Sequence, residues 1–382
     1  MKCQLMKSFT QTCSIGLFFL LFAVGGNGQE LSIRKLSDVK YAIDGELAGG
    51  LANGKPMFNF KVGTPDFVVR TKDQLLKALA DAKSGSIVYV DDDVEIDLSG
   101  QKNITIRSGI TLASGRGKVE GALGALIKTS TAGTSPLFVC GSNVNIFGLR
   151  FYGGDKDIYH GNKKYEGKNA VYENTYKVPV SIAIKTNYPN LEVKNCEFYG
   201  WTHAAISLQK GADNAKILYN YIHHNRRVGL GYGVNLDGVF ALIKGNVFDY
   251  NRHDIAGTGI PGTGYEACYN VFLQNGTSHS VDMHGGKDRN DNTDIAGTKI
   301  NVYNNTFVLF PDRKAVVIRG KPSKLANIKN NTVQYVSTDD KAKGLFARIF
   351  GVSSNAPANY ATPFDQLYSK GNVTITDNTI KK

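Results

Sequence analysis

The sequence predicts an all-β protein, a solenoid of short parallel strands, and three observations carry that prediction. Asn220, Asn246, Asn270, Asn305 and Asn331 each stand two places before an apolar residue (Ile222, Phe248, Phe272, Phe307 and Val333), and Cys196 with Phe198 opens the series. The intervals are 24, 26, 24, 35 and 26 residues, the length of a supersecondary unit and far from the helical period of about 3.6. Only one segment of the chain reads clearly as a helix. A lone coil of short strands cannot bury its inward face, so repetition is a stability requirement: stacked coils share one continuous core. Stacks of Phe, Ile and Val are expected inside. Asn at the bends suits a left-handed turn, so the Asn series is read as structural, and Asn304-Asn305-Thr306 as part of it and not as a glycan site.

The elements follow in order. Residues 1–28 carry Lys2 and Lys7, the apolar run Ile15–Val24, then Gly25, Gly26 and Gly28. The run is far shorter than the roughly 20 residues that span a bilayer, so a cleaved signal peptide is expected, and with it a secreted or periplasmic protein without a membrane span. Cys13 precedes the run, which argues against a lipid anchor. Residues 29–65 form an unassigned N-terminal segment, and 66–382 the solenoid domain. Thr71-Lys72-Asp73-Gln74 is a capping box leading into Leu75, Leu76, Ala78, Leu79 and Ala82, with Ser84-Gly85 as the stop. Such a helix suits the open end of the first coil, whose edge would otherwise pair with other chains.

Strands are expected at 87–90, 94–96, 104–106, 111–112, 137–139 and 144–151. Leu149-Arg150-Phe151 precedes the Cys196 unit by 47 residues, about two coils. The polar stretches 153–178, 286–297 and 341–370 are expected as loops beside the stack, and Asn378-Thr379-Ile380 as a last repeat, for nine or ten coils in all. Cys140, Cys196 and Cys268 are an odd number, not a disulfide framework, and read as buried small hydrophobes. Net charge is +12, or +10 without Lys2 and Lys7. For an exported protein this points to an acidic polysaccharide, with nucleic acid and membranes set aside.

The coil repeat, the helix followed by strands at 71–96, and the stretches Thr111-Leu112-Ala113-Ser114-Gly115-Arg116-Gly117 and Asn143-Val144-Asn145-Ile146-Phe147-Gly148-Leu149 resemble the pectate-lyase-like superfamily. The resemblance implies a single-stranded right-handed parallel β-helix with an N-terminal capping helix. Its members include polysaccharide lyases, hydrolases, epimerases, esterases and non-catalytic surface proteins, so the fold does not choose the reaction.

Aligning coils on the Asn position gives one column of His203, Arg227, His253, His279 and, slightly offset, Lys314, and a second of Leu208, Tyr232, Thr258, His284 and Arg319. Side by side they would form a positively charged groove for a polyanionic sugar chain. The densest stretches are 251–259, 264–266 and 278–286. For β-elimination on a uronate, His253 or His279 is the expected base and Arg252 or Arg227 the neutraliser of the sugar carboxylate, with His284 or Tyr232 at the leaving group. Arg227, His203, Lys314, Arg319 and Tyr265 are expected to grip the sugar. Asp237, Glu266 and Asp282 form an oxygen set for Ca²⁺, and Asp282 with His279 and His284 an alternative set for a transition metal. A monomer is expected.

Two further readings stand beside the lyase. A glycoside hydrolase would draw two acids from Asp237, Asp254, Glu266 and Asp282. The polygalacturonase-like order of Asn-Thr-Asp before Gly-His-Gly is broken here, because Asn292-Thr293-Asp294 follows His284. A non-catalytic polysaccharide-binding protein would not need His and Arg focused on one wall.

Overall fold

The computed structural model describes residues 38–39, 42–44, 46–50, 63–117, 122–155, 178–227, 229–336 and 361–381. The signal-peptide expectation, the body of the 153–178 loop and most of the 341–370 insertion lie outside them. Three parallel sheets run through the described part. The first has 11 strands, from Phe67–Val69 to Val373–Thr376; the second has ten, from Glu95–Asp97 to Thr379–Lys381; the third has nine, from Ile104–Ile106 to Phe364–Gln366. Beyond the opening pair Phe67–Val69 and Ile87–Val90, which are neighbours in sequence as well as in the first sheet, each turn of the chain adds one strand to each of the three sheets, so a strand hydrogen-bonds to its counterpart one coil away and not to the next strand in sequence. This is the parallel β-helix that the repeat predicts.

The inward positions form the expected stacks. Phe151, Phe198, Ile222, Phe248, Phe272, Phe307 and Val333 lie in register along the second sheet. All are fully buried, and the Phe151–Phe198 and Phe272–Phe307 rings lie parallel with centroids 4.7 and 4.5 Å apart. Burying each ring contributes about 2–3 kcal/mol. Cys140, Cys196 and Cys268 are free and buried, as expected.

Between the first and second sheets the chain turns a sharp corner. The left-handed residue there is not the repeated Asn but the one before it: Asn195, Tyr219, Tyr269, Asn304 and Asn330 have φ of 53–56°. The repeated Asn instead forms a ladder. Asn220, Asn246, Asn270, Asn305 and Asn331 each use Nδ2 to donate to the next Asn Oδ1, at 2.9–3.0 Å, and to a backbone carbonyl of the adjoining coil. Phe151 pairs directly with Phe198, so the 47-residue interval is one coil carrying an insertion, and not two coils.

Helix Lys72–Asp81 is capped by Thr71, whose hydroxyl accepts from the Gln74 amide, and buries Leu75, Ala78 and Leu79. It lies against the strands Phe67–Val69, Ile87–Val90 and Ile104–Ile106 at the start of the stack, the place expected of an end cap. The unassigned N-terminal segment also has a role. Val39 and Ala48 cover Val247, Val271 and Leu273, and the Gly49 carbonyl accepts from the fully buried Arg116 guanidinium.

Candidate functional site

The third sheet carries the constellation. Its register pairs Ala204, Tyr232 and His253, and pairs Ile255 with Val281 and Val281 with Val316. Counting back two residues along each strand puts His253, His279 and Lys314 in one column, with Tyr232 before them. The rings confirm the ladder: centroids are 5.9 Å apart for His203–Tyr232, 5.9 Å for Tyr232–His253 and 4.2 Å for His253–His279. Three residues beyond the inward Val or Ile of each strand, a second column runs through Asp237, Thr258, His284 and Arg319. Tyr232 thus replaces Arg227 in the first column, and Asp237 replaces Tyr232 in the second. Leu208 leaves the second column altogether, because it is paired with Leu236 in the core.

Asp282 is the centre. It is fully buried, yet four basic groups from three successive coils reach its carboxylate. Arg319 grips it with two bonds, Nε to Oδ1 and Nη2 to Oδ2, both at 2.9 Å. His279 Nε2 lies 3.0 Å from Oδ1, His284 Nε2 lies 3.2 Å from Oδ2, and His253 Nε2 stops 3.6 Å from Oδ2. The insertion 286–297 does not project freely as a loop. Its single-turn helix Gly286–Arg289 brings Asp288 to 3.5 Å from both His284 Nδ1 and Arg319 Nη1, while Arg289 donates to the Thr258 carbonyl at 3.0 Å. Asp288 was not singled out in the sequence, and its only signal is its place in the polar run just after His284-Gly285-Gly286.

The charges balance. Burial alone would raise the Asp282 carboxyl, but the surrounding imidazoles hold it well below the usual carboxylate range. Burial pulls the opposite way on His284, yet Asp282 and Asp288 push it up to about 9. His253 and His279 both move down, first through burial, with His279 adding to the effect on His253 and Arg319 to that on His279. Near neutral pH the cluster therefore holds two carboxylates, one imidazolium, one guanidinium and two neutral imidazoles. His279, His284 and Arg319 keep 17%, 26% and 17% of their side chains exposed, whereas His253 and Asp282 keep none. The first three are the ones a ligand can touch.

The other expected residues sort by position. His203 meets the edge of Tyr232, and burial lowers its pKa to about 4. Tyr232 is nearly buried, with its hydroxyl donating to the Gly229 carbonyl at 3.3 Å. Arg252 donates to the Leu230 carbonyl at 3.3 Å, next to this ladder. Arg227 turns aside, with Nε donating to the Val178 carbonyl at 3.1 Å. Lys314 stands in the column but is ion-paired with Asp365. Tyr265 corrects an expectation: it is fully buried and points inward, with its hydroxyl 3.5 Å from the Asp282 backbone carbonyl, so it cannot meet a sugar.

The Ca²⁺ set does not assemble. Glu266 lies on the first sheet, where it accepts from the Tyr303 hydroxyl, and Asp237 accepts from Thr258 Oγ1 at 2.8 Å. Asp282 is left among nitrogen donors, which do not suit a hard cation. A polar hollow of about 490 Å³ lies elsewhere, on the first sheet, lined by Asn143, Asn145, Asn190, Glu192, Asn214 and Lys216. Its side chains bond chiefly to one another and bring no acid–base constellation.

No family model and no curated protein sequence matches the chain. Solved structures do share its architecture. The family 28 exopolygalacturonase of Yersinia enterocolitica is 12% identical with a TM-score of 0.51, over 84% of this chain and 64% of that one; this chain therefore spans less than two thirds of that protein. The endo-xylogalacturonan hydrolase from Aspergillus tubingensis is 15% identical with a TM-score of 0.44, over 71% of this chain and 75% of that one. The PL6 family alginate lyase AlyGC is 13% identical with a TM-score of 0.43, over 82% of this chain and 39% of that one. At such identities the likeness is one of fold: the chain has the pectate-lyase-like parallel β-helix fold that its sequence resembles.

Proposed function

We propose that the chain is an exported, carbohydrate-active protein that cleaves an acidic, uronate-containing polysaccharide by β-elimination at the Asp282 cluster. One observation carries this reading: around a buried carboxylate, the third sheet presents His279, His284 and Arg319 partly exposed and side by side, with Arg252 and Tyr232 on the adjoining coils. The exopolygalacturonase that shares the fold is named for an acidic polysaccharide, which supports the substrate class without selecting the reaction.

Elimination needs three things: a cation on the uronate carboxylate, a base for the proton next to it, and an acid for the departing oxygen. Arg319 and Arg252 meet the first need. His279, oriented by Asp282 Oδ1, takes the proton as the carbon–oxygen bond breaks and the double bond forms, and His284 gives a proton to the leaving oxygen. His253 passes from expected base to positioning residue, because its ring is sealed from solvent and anchored to the His279 carbonyl at 2.7 Å. Hydrolysis is less well supported. Asp254 and Asp282 are buried and Glu266 is on another sheet, which leaves Asp237 as the one partly exposed acid of the four beside the third sheet.

The test is to offer the purified protein a panel of polyuronates and follow the ultraviolet absorbance of the unsaturated product. The expected result is product from at least one of them, with turnover falling by about 100-fold or more in His279→Ala. In Arg319→Ala, activity should be lost together with about 3 kcal/mol of stability, because Asp282 is left buried without its guanidinium. New reducing ends without the chromophore, or full activity in His279→Ala, would reject the reading.

A further inference from the structure

We propose that His253, His279 and Asp282 bind a divalent transition-metal ion of the zinc or cobalt type. This inference stands independently of the lyase reading, since it rests on how the three side chains face one another and not on what the protein cleaves.

The first argument is the tautomer of His253. Its Nδ1 lies 2.7 Å from the His279 backbone carbonyl, and a carbonyl only accepts, so the ring proton sits on Nδ1 and Nε2 carries a lone pair. That Nε2 is fully buried, has no hydrogen-bond partner, and faces Asp282 Oδ2 at 3.6 Å. A lone pair opposite a carboxylate, sealed from water, is electrostatically unfavourable as it stands. A cation held by this nitrogen and by the Asp282 carboxylate turns the repulsion into two bonds. An imidazole whose other nitrogen donates to a backbone carbonyl is also the arrangement that orients a metal-binding histidine.

The second argument is spacing. One ligand atom from each of the three residues can be chosen so that all lie within 4.8 Å of one another, and His279 Nε2 is 3.0 Å from Asp282 Oδ1. Donors that share a metal at about 2.0–2.1 Å stand about 3.0–3.4 Å apart, so a contraction of at most about 1.4 Å, from 4.8 to 3.4 Å, closes the set.

The third argument is donor type. Two imidazoles and one carboxylate suit zinc, cobalt or iron, and not calcium or magnesium. Asp282 Oδ2 already accepts from Arg319 Nη2 and His284 Nε2, while Oδ1 accepts from Arg319 Nε and turns its other side to His279. Oδ1 is therefore the oxygen that can ligate, with Arg319 retained as an outer partner. The partly exposed edges of His279 and His284 give the ion its way in. A bound ion takes the lone pair of His279, so occupancy and base action at this residue exclude one another.

The experiment strips the full-length protein with a chelator and titrates it with Co²⁺, following visible absorption, then adds Zn²⁺. The expected result is a band that saturates at one equivalent and is displaced by Zn²⁺, with Zn²⁺ but not Ca²⁺ raising the melting temperature. His253→Phe, which keeps the ring stack, and His279→Gln should each weaken binding by about 100-fold or more while circular dichroism stays that of the wild type. No saturable band, or a band unchanged in folded His253→Phe, would overturn the site. A saturable band together with no elimination product from the chelator-stripped, metal-free protein would sink the lyase reading and leave the metal site standing.

Discussion

The asparagine ladder between the first and second sheets and the histidine–aspartate cluster on the third are both buried arrays of polar side chains, yet only the ladder is complete in itself. Asn270 Oδ1 accepts from the Asn246 backbone amide and from its side chain, while Asn270 Nδ2 donates to the Ile243 carbonyl and to Asn305 Oδ1. Each neutral amide finds its partners one coil up and one coil down, so repetition alone satisfies it. The cluster is charged, is drawn from non-repeating residues, and leaves His253 Nε2 without a partner. Satisfaction by identical neighbours builds a fold, whereas a buried group that the fold leaves unpaired marks a place prepared for something else.

The largest expected effect tests the ladder. Asn270→Ala orphans two buried donors on Asn246 and the Ile243 carbonyl, and should cost about 4 kcal/mol in urea unfolding. A loss under about 1 kcal/mol would mean that water or backbone shifts can replace the ladder, and the contrast with the cluster would fail.

Next comes a buried carboxylate that is hydrogen-bonded like the ladder but can ionise. Asp249 accepts from Tyr250 and Asn275, and burial pushes its pKa up to about 7 against those bonds and Arg226. A carboxyl raised in the folded state binds more protons folded than unfolded. Its contribution is complete below about pH 4 and is lost as pH rises through about 7. Relative to Asp249→Asn, the wild type should lose roughly 3 kcal/mol between pH 4 and 8. Parallel pH profiles for the two proteins would remove Asp249 from the account.

The smallest effect sharpens the comparison from the other side. Without metal, His253→Phe removes an unpaired buried nitrogen and keeps a flat ring between Tyr232 and His279, so its stability should stay within about 1.5 kcal/mol of wild type. A cost as large as that of Asn270→Ala would make His253 a structural residue on the same footing as the ladder.

Much of the fold was legible because each coil repeats the same demand. The ladder positions, the Phe stacks, the end-capping helix and the free buried cysteines all follow from residue type at fixed spacing. The site was legible only in part. Counting loosely from the ladder, seven residues from Asn246 to His253 and nine from Asn270 to His279, finds these two with His284 and Arg319, but it picks Arg227 where Tyr232 belongs, because Tyr232 lies twelve residues after Asn220. The corner between the second and third sheets varies in length from coil to coil, and hydrogen bonding across the third sheet, not distance along the chain, decides which side chains meet.

The sequence by itself determined that this chain winds into stacked coils, since a period of about two dozen residues with an apolar and an amide position can bury its faces in no simpler way. Only the tertiary structure decided that Asp282 sits at the focus, that Asp288 joins it from an insertion, that Tyr265 and Glu266 face elsewhere, and that His253 keeps an unshared lone pair. Those outcomes depend on register between coils and on which face of a strand is outward. A shift of one residue reverses that face, and nothing local to the segment records it.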